Sequence, residues 1–327
     1  MIRSLFKIIW NKGLKFNMPS SCSVRHILEL SKFEKTKFLN SFDIVFCDCD
    51  GVIWDATTHK PLEAVGNGIK KLKEHGKKVV FLTNNSTRSE EDYAKQFQSV
   101  GLDIDLEDVV HPVRSIITYL RQIEFDGLIY CMATEAFKDS LRSAGFKVID
   151  GPNKILEESF SELARNVFDK EPVRAVVVDV DINLSSSKMI RADVYLRHPA
   201  CILIGGAADV KIPFGPANTI GPGAFLRILE QSSKRKALTF GKPGDELISH
   251  LKREFKVNEP KRVLLIGDIL ETDIVFGKMG GFQTMLVLTG CTKKEDMEVI
   301  TNENEKPDYY ADSVADFIEF FESIKEE

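Results

Sequence analysis

The sequence predicts an α/β protein in which helices cover both faces of a parallel β-sheet. Short apolar runs of strand length, such as residues 44–47, 78–82 and 262–266, alternate with stretches of helical periodicity, and this alternation is typical of buried parallel strands. Each of these runs ends directly in polar residues. Open α/β sheets place their ligands at the carboxyl ends of such strands, so the pattern also predicts a ligand site along that edge.

The other elements follow from periodicity and from turn residues. Residues 63–74 predict a helix because apolar residues recur on one face, and Gly76 is typical of the position just after a helix. Residues 284–288 predict a fourth core strand, and residues 211–222, rich in proline and glycine, predict a loop. The remaining expected strands lie at 127–131, 175–178 and 201–205, and the remaining helices at 135–144, 186–196, 223–231 and 313–324.

The middle of the chain carries a strand and helix pattern of its own, which predicts a second α/β domain inserted into the first. The first domain is then a Rossmann-like, doubly wound sheet that the insertion interrupts. The predicted parts are an N-terminal extension at 1–38, the first part of the core at 39–118, the inserted domain at 119–236 and the second part of the core at 237–327.

Composition excludes several classes of partner. A hydrophobic content of 43%, a charged content of 28% and a net charge of −5 are ordinary for a globular protein and argue against nucleic acid as the main partner. No apolar run approaches the roughly 20 residues that span a bilayer. The six cysteines include no C-x-x-C pair, which argues against a disulfide scaffold. These features predict a cytoplasmic protein that binds neither membrane nor nucleic acid.

The first 28 residues contain no acidic residue and carry Arg3, Lys7, Lys12, Lys15 and Arg25. A basic, acid-free and amphipathic segment is typical of a mitochondrial transit peptide. Only two of these cations are arginine, which favours the alternative of a disordered or loosely docked extension. Mitochondrial targeting therefore stays open beside the cytoplasmic location.

Two carboxylates with one residue between them follow the strand at residues 44–47. Asp48 and Asp50 point the same way while the strand geometry lasts, and Gly51 permits a sharp turn directly after them. Two such carboxylates repel each other unless a cation lies between them or one is protonated. Mg²⁺ prefers hard oxygen ligands of this kind. The pair therefore predicts either a magnesium site or two solvated acids at a strand end.

Polar residues at the other strand ends complete a set suited to phosphoryl transfer. Asp48 is a candidate nucleophile, and Asp50 is a candidate general acid and base. The further candidates are Thr83, Asn84 and Asn85 for phosphoryl oxygens, Lys242 for charge neutralisation, Asp268 for the metal site and Asp273 for orienting metal-bound water. Each residue alone is a weak signal, whereas the whole set at successive strand ends favours a catalytic site.

These motifs resemble those of the haloacid dehalogenase superfamily. The matching stretches are Asp48-Cys49-Asp50-Gly51-Val52, Thr83-Asn84-Asn85-Ser86, Lys242-Pro243, and Gly267-Asp268 with Thr272-Asp273-Ile274. The longer match at residues 47–54, 82–86 and 241–243 is similar to the C2-capped 4-nitrophenylphosphatase branch, which contains the phosphoglycolate and pyridoxal phosphate phosphatases. The likeness covers approximately residues 40–327.

The resemblance implies a Rossmann-like core with a C2-type cap and a Mg²⁺-dependent phosphatase. Its substrate would be a small phosphomonoester, like 2-phosphoglycolate or 4-nitrophenyl phosphate, hydrolysed through an aspartyl-phosphate on Asp48. Asp50 would be the acid and base, and Lys242 would lie at the site. Mg²⁺ would be held by Asp48, Asp268 and the backbone carbonyl of Asp50, and Asp209 of the cap would contact the substrate. The implied partner is a small phosphorylated metabolite, and a homodimer through the cap stays open.

The departures from the family's pattern fall mostly in the cap. Asp179 stands where a glycine is usual, and residues 206–208 read Gly-Ala-Ala where the substrate loop often begins Thr-Asn. Ile212 replaces a histidine typical of pyridoxal phosphate phosphatases, which favours a phosphoglycolate-like enzyme over that alternative. In the core, Ile269 replaces a common arginine, and we expect this to affect local packing more than chemistry.

Rival functions fit less well. A cysteine-based phosphatase needs an arginine six residues after its cysteine, and none of the six cysteines has one. A receiver-type signalling domain would have no large insertion before Lys242. A catalytically quiet binding or regulatory protein of the same fold is the alternative from another class, although the intact acidic residues and Lys242 argue against it.

Overall fold

The computed structural model describes residues 24–214 and 217–325, so the segment of transit-peptide character lies almost entirely outside the described residues. The strands are β1 Arg25–His26, β2 Ile44–Asp48, β3 Lys78–Leu82, β4 Val109–Val110, β5 Leu128–Met132, β6 Lys147–Ile149, β7 Val173–Val178, β8 Ile202–Gly205, β9 Lys211–Phe214, β10 Ala217–Ile220, β11 Leu238–Thr239, β12 Val263–Gly267, β13 Gln283–Val287 and β14 Tyr309–Ala311. The α-helices are α1 Lys32–Leu39, α2 Val65–Glu74, α3 Glu90–Ser99, α4 Pro112–Gln122, α5 Glu135–Ser143, α6 Phe160–Val167, α7 Ser186–Leu196, α8 Pro222–Ser233, α9 Asp245–Glu254, α10 Val275–Gly280, α11 Lys294–Glu298 and α12 Phe317–Lys325. Within these ranges no helix has the length and apolar character needed to cross a bilayer.

Seven strands form one parallel sheet in the order β1-β14-β13-β12-β2-β3-β4. From β2 the chain builds outward to β3 and β4 on one side, and it later builds from β12 to β14 on the other. Such a change of direction opens a crevice at the carboxyl ends of the central strands. β2 and β12 pair from Ile44 opposite Val263 to Cys47 opposite Ile266, so the residues that follow them meet at this crevice.

The central strand is buried on both faces. Val45 and Cys47 pack into a hydrophobic cluster with α2 and α3, whereas Phe46 packs into a second cluster with α9 and α10. All three side chains are fully buried. Because neighbouring residues of a strand point to opposite faces, this division places helices on both sides of the sheet. The predicted α/β class is thereby confirmed.

A second parallel sheet holds five strands in the order β11-β8-β7-β5-β6. Its strand β5 is also buried on both faces, with Ile129 and Cys131 in one cluster and Tyr130 and Met132 in the other. β9 and β10 form a separate antiparallel ribbon. All of these strands lie between β4 and β12 in the chain, so the second sheet is an insertion into the first.

The structure differs from the sequence prediction in three places. Residues 211–222 contain the β9–β10 ribbon rather than a loop, because the two short segments pair in register from Lys211 opposite Ile220 to Phe214 opposite Ala217. β1 and α1 overlap the predicted extension at 1–38, yet β1 pairs with β14 and Phe38 of α1 packs into the core. β11 lies beyond the predicted boundary at residue 236, because the chain completes the second sheet before it returns to the core.

Candidate active site

The candidate active site forms where β2 and β12 end side by side. Asp48 is the last residue of β2, and Asp268 directly follows β12. Gly51 turns the chain away with a φ of +85°, a conformation that L-residues with a side chain rarely adopt. A Cβ atom on Gly51 would lie 2.5 Å from Asp268 Oδ2, so glycine also allows the two motifs to approach each other.

Lys242 joins two buried carboxylates at this edge. Its Nζ lies 2.7 Å from Asp48 Oδ1 and 2.6 Å from Asp273 Oδ1, and the residue is 2% exposed. Burial alone would lower the pKa of Lys242, but the charges of Asp273 and Asp48 outweigh this effect and raise the pKa. Burial also raises the pKa of Asp48, against the opposing charge of Lys242. Lys242 therefore stays protonated beside the candidate nucleophile.

The acidic residues fit a divalent cation. One carboxylate oxygen from each of Asp48, Asp268 and Asp273 lies within 4.8 Å of the others. Oδ1 of Asp268 is buried without a hydrogen-bond partner among the described residues, and burial, followed by the charge of Asp273, raises the pKa of Asp268 to about 7. Both oxygens of Asp273 are engaged, Oδ1 by Lys242 and Oδ2 by the backbone N–H groups of residues 268 and 269. Asp48 and Asp268 are therefore the residues best placed for direct ligation of a cation.

Asp50 is held by residues that the sequence analysis did not single out. Its Oδ1 accepts a 2.8 Å hydrogen bond from Trp54 Nε1 and lies 3.4 Å from Nη1 and Nη2 of Arg88. Arg88 Nη2 in turn lies 2.7 Å from His59 Nδ1. Oδ2 of Asp50 accepts a 3.3 Å hydrogen bond from the Thr83 hydroxyl. These contacts fix the direction of the carboxyl group, as proton transfer to a leaving group requires.

The loop after β3 connects the core edge with the inserted domain. Asn84 Oδ1 accepts from Lys242 N at 2.7 Å, and Asn84 Nδ2 donates to Lys242 O at 2.8 Å and to Asp209 Oδ2 at 2.6 Å. Two residues on, Ser86 Oγ donates to Asp179 Oδ1 at 2.6 Å. The side chain of Asn84 thus positions Lys242 and Asp209.

Asp179 directly follows β7. It is a buried carboxylate without a cationic partner among the described residues. Besides the bond from Ser86, it accepts hydrogen bonds from the backbone N–H groups of residues 180 and 207, at 2.7 and 2.8 Å. Burial raises its pKa, and these three hydrogen bonds oppose the shift. A Cβ atom on Gly206 would lie 1.9 Å from Asp179 Oδ2. The carboxylate therefore occupies space that a side chain at residue 206 would fill.

A cavity of about 440 Å³ lies between the core edge and the inserted domain. Asp209 lines it, with Asn84 and Thr272 donating to its two oxygens, and burial raises the pKa of Asp209 to about 6. The predicted site residues that line the cavity are Asp48, Asp50, Asn84, Asn85, Asp209, Lys242, Asp268 and Asp273. Thr83 does not line the cavity, but its hydroxyl donates a hydrogen bond to Asp50 Oδ2. The structure thus brings the predicted residues together at one cavity.

Family profiles match the two core parts of the chain. A profile described as haloacid dehalogenase-like hydrolase matches residues 45–147, and one described as HAD-hydrolase-like matches residues 239–317. The first match contains Asp48 and Asp50, and the second contains Lys242 and Asp268. Most of the inserted domain lies between the two matches.

Individual proteins extend the likeness across the inserted domain. Phosphoglycolate phosphatase 1A, chloroplastic, of Arabidopsis thaliana is 31% identical over 286 residues, which cover 86% of this chain and 78% of that protein. The 4-nitrophenylphosphatase of Schizosaccharomyces pombe is 30% identical over 293 residues, which cover 88% of this chain and 96% of that protein. Among solved structures, the p-nitrophenyl phosphatase from Archaeoglobus fulgidus is 25% identical with a TM-score of 0.71, over 85% of this chain and 99% of that one.

Proposed function

Because the chain belongs to the haloacid dehalogenase-like hydrolases, we propose that it is a Mg²⁺-dependent phosphatase that works through an aspartyl-phosphate on Asp48. It is a phosphoric monoester hydrolase. We infer a small substrate, like 2-phosphoglycolate or 4-nitrophenyl phosphate, since two relatives are a phosphoglycolate phosphatase and a 4-nitrophenylphosphatase. Two neighbouring features support the mechanism most strongly. Lys242 Nζ lies 2.7 Å from Asp48 Oδ1, and Oδ1 of Asp268 has no hydrogen-bond partner among the described residues.

In the proposed first step, a carboxylate oxygen of Asp48 bonds to phosphorus and the bond from phosphorus to the ester oxygen breaks. The leaving oxygen takes a proton from Asp50, which Trp54 and Thr83 hold in place. Lys242 stays protonated beside Asp48 and offsets the negative charge of the phosphoryl group.

In the second step, Asp50 takes a proton from water while the water oxygen bonds to phosphorus, which frees Asp48 and inorganic phosphate. Asp48 and Asp268 would hold Mg²⁺, with the backbone carbonyl of Asp50 as a further ligand. When bound, the cation neutralises charge on the phosphoryl oxygens and on Asp48. The backbone N–H of Cys291 donates to Asp268 Oδ2 at 2.8 Å and so orients this carboxylate, whose Oδ1 has no partner among the described residues. Asp273 accepts from the backbone N–H of Asp268.

The inserted domain would serve as a cap that excludes water and selects the ester. Val180, Ile182 and Ile212 give its side of the cavity an apolar surface, and Lys211 adds a positive charge. We further propose a small phosphorylated metabolite as the partner, with no role for nucleic acid or membrane, and a cytoplasmic location. The net charge of −5 and the buried free cysteines support these assignments. A homodimer through the cap is the assembly to test.

The test is hydrolysis of phosphate esters with and without Mg²⁺, by the wild type and by Asp48→Asn. The panel contains 4-nitrophenyl phosphate, 2-phosphoglycolate and pyridoxal 5′-phosphate. We expect metal-dependent turnover that the variant loses by roughly 10⁴-fold or more. Substantial turnover by Asp48→Asn would contradict the covalent mechanism. Preference for pyridoxal 5′-phosphate would identify a pyridoxal phosphate phosphatase, and absence of turnover on every ester would favour a catalytically quiet binding or regulatory protein.

A further inference from the structure

A cavity of about 1160 Å³ lies in the cap, apart from the catalytic cavity. In the cap sheet the chain goes from β5 to its neighbour β6 on one side and then crosses to β7 on the other. The cavity is lined by residues 133–138 after β5, residues 152–163 after β6 and residues 181–188 after β7. It therefore occupies the point where the strand order reverses, at the carboxyl ends of the strands, which is where open α/β sheets bind ligands.

Two buried lysines line this cavity. Lys138 is 6% exposed and its Nζ hydrogen-bonds or pairs with Glu135 and Asp150. Lys188 is 4% exposed, and among the described residues its Nζ bonds only to Asp181, at 2.8 Å. An ammonium group has three N–H donors. Lys188 thus has two donors for acceptors that the described part of the chain does not supply.

The neighbouring groups favour an oxyanion as that acceptor. Ser186 lines the cavity two residues before Lys188, and its hydroxyl makes no hydrogen bond within the described residues. Of the lining carboxylates, Glu135, Glu157 and Glu158 are exposed, so solvent screens their charge. The side chain of Asp181 is buried, and its charge is paired with that of Lys188. A phosphate group presents several acceptor oxygens to an ammonium group and a hydroxyl at once, through short charge-assisted hydrogen bonds.

The rim of the cavity is apolar and open. Ile155, Phe160 and Ile182 line it and are 99%, 92% and 84% exposed. Large apolar side chains grouped at the mouth of a polar cavity are typical of ligand sites in which an apolar body sits above a few fixed polar groups. A planar ring would cover these side chains, whereas a bare phosphate ester of the size of glycolate would leave them in water.

We propose that the cap carries a second binding site, separate from the catalytic one, for a phosphate monoester joined to a planar ring. The phosphate meets Lys188 and Ser186, and the ring lies against Phe160 and its apolar neighbours. This chemistry is shared by purine mononucleotides and by flavin mononucleotide. The site does not depend on the phosphatase proposal, because its lining shares only Ile182 with the catalytic cavity.

The experiment is calorimetric titration of the full chain with adenosine 5′-monophosphate and, separately, with flavin mononucleotide. EDTA in the buffer prevents metal-dependent turnover, so binding is measured whether or not the protein is a phosphatase. Ribose 5-phosphate is the ligand without the ring. We expect saturable binding of at least one of the two ring compounds, and at least about tenfold weaker binding of ribose 5-phosphate because it buries far less apolar surface.

Two variants assign the site. Ser186→Glu puts a negative charge into the cavity and should weaken binding at least roughly tenfold, while an acid in the first turn of α7 is compatible with the helix. Lys188→Met removes the ammonium group and should do the same. Ser143→Glu, on an exposed residue of the cap outside the cavity, is the matched control and should bind like the wild type. Unchanged binding in both cavity variants, equal binding of ribose 5-phosphate, or no binding of either ring compound at millimolar concentration would each overturn the proposal.

Discussion

Both parallel sheets end in buried acidic residues, but Asp48 at the core edge and Asp179 at the cap edge are stabilised differently. At the core edge, Asp48 and Asp273 share the ammonium group of Lys242. At the cap edge, Asp179 has no cationic partner among the described residues and is held by three neutral donors, one of them Ser86 of the core. A charge pair provides electrostatic stabilisation for a reaction, whereas a set of neutral donors mainly fixes a position. The charge pair at Asp48 is therefore suited to chemistry, whereas the hydrogen bonds of Asp179 fix the position of the cap.

One loop serves both edges. Thr83 contacts Asp50 of the core, whereas Ser86 and Asn84 contact carboxylates of the cap. The position of the cap is consequently coupled to the residues that hold Asp50. The comparison predicts that substitutions at the core edge remove activity outright, and that substitutions at the cap edge act on stability and substrate affinity.

The largest effect is expected for Lys242→Met. The variant leaves two buried carboxylates without their cation, which should lower the free energy of unfolding by about 3–5 kcal/mol in metal-free buffer. Activity should fall by roughly 10³-fold or more, because charge on the phosphoryl group is no longer offset. Denaturant unfolding and ester hydrolysis are the measurements.

The control is Lys236→Met, since Lys236 is exposed and pairs with the exposed Asp245. The free energy of unfolding of this control should change by no more than about 0.5 kcal/mol. An equal loss of stability in both variants would contradict the contrast between the edges.

The next largest effect is expected for Gly206→Ala. The added Cβ would lie 1.9 Å from Asp179 Oδ2, so the carboxylate must move away from its donors, at a cost of about 3 kcal/mol. Asp179→Gly loses the hydrogen bonds but creates the missing space. The double variant should therefore be no less stable than Asp179→Gly alone, as measured by denaturant unfolding. Additive losses would show that the two residues do not compete for the same space.

This pair also explains two departures that the sequence analysis treated separately. Asp179 replaces a usual glycine, and Gly206 stands where the family's substrate loop often begins with threonine. The sequence shows each change but not that one fills the space vacated by the other, because that relation depends on the packing of β7 against β8. The structure shows that the Asp179 carboxylate occupies the space that a side chain at residue 206 would need.

Sequence reasoning located the core edge because the information there is local. Asp48 ends a buried strand, and Thr83 and Asp268 each directly follow one. Parallel strands bring their carboxyl ends together, whatever the length of the chain between them. The sequence did not reveal the roles of Trp54 and Arg88, because their contacts with Asp50 form only when the turn after β2 and the loop after β3 come together in the fold. The only signal available for them was their position within or next to the polar motifs.

The third prediction concerns the link between Ser86 and Asp179 across the two sheets. Ser86→Ala and Asp179→Asn, made singly and together, should show a coupling free energy of about 1.5 kcal/mol, because the hydrogen bond is buried and its acceptor is a carboxylate. KM should rise more than kcat falls, since the bond positions the cap rather than the reacting groups. Ser140→Ala is the control, as its hydroxyl donates only within α5. A coupling near zero would contradict the view that this bond places the cap.

The smallest effect is expected from Asp209, whose carboxyl group lies at the cap edge but is bonded only by neutral donors, Asn84 and Thr272. Burial raises its pKa from 3.8 to about 6, so the folded protein holds a proton there that the unfolded chain has already released. Between about pH 4 and pH 6 the contribution of Asp209 to the free energy of unfolding should therefore fall as the pH rises, by about 1 kcal/mol or more. Asp209→Asn cannot ionise, and the Thr272 hydroxyl can accept from the new amide, so the variant should lack this loss and become the more stable protein above pH 6. Denaturant unfolding of both proteins across this range is the measurement. If the difference between them were independent of pH, Asp209 would already be ionised at low pH in the fold, and the cap edge would share the charge of Lys242 instead of standing apart from it.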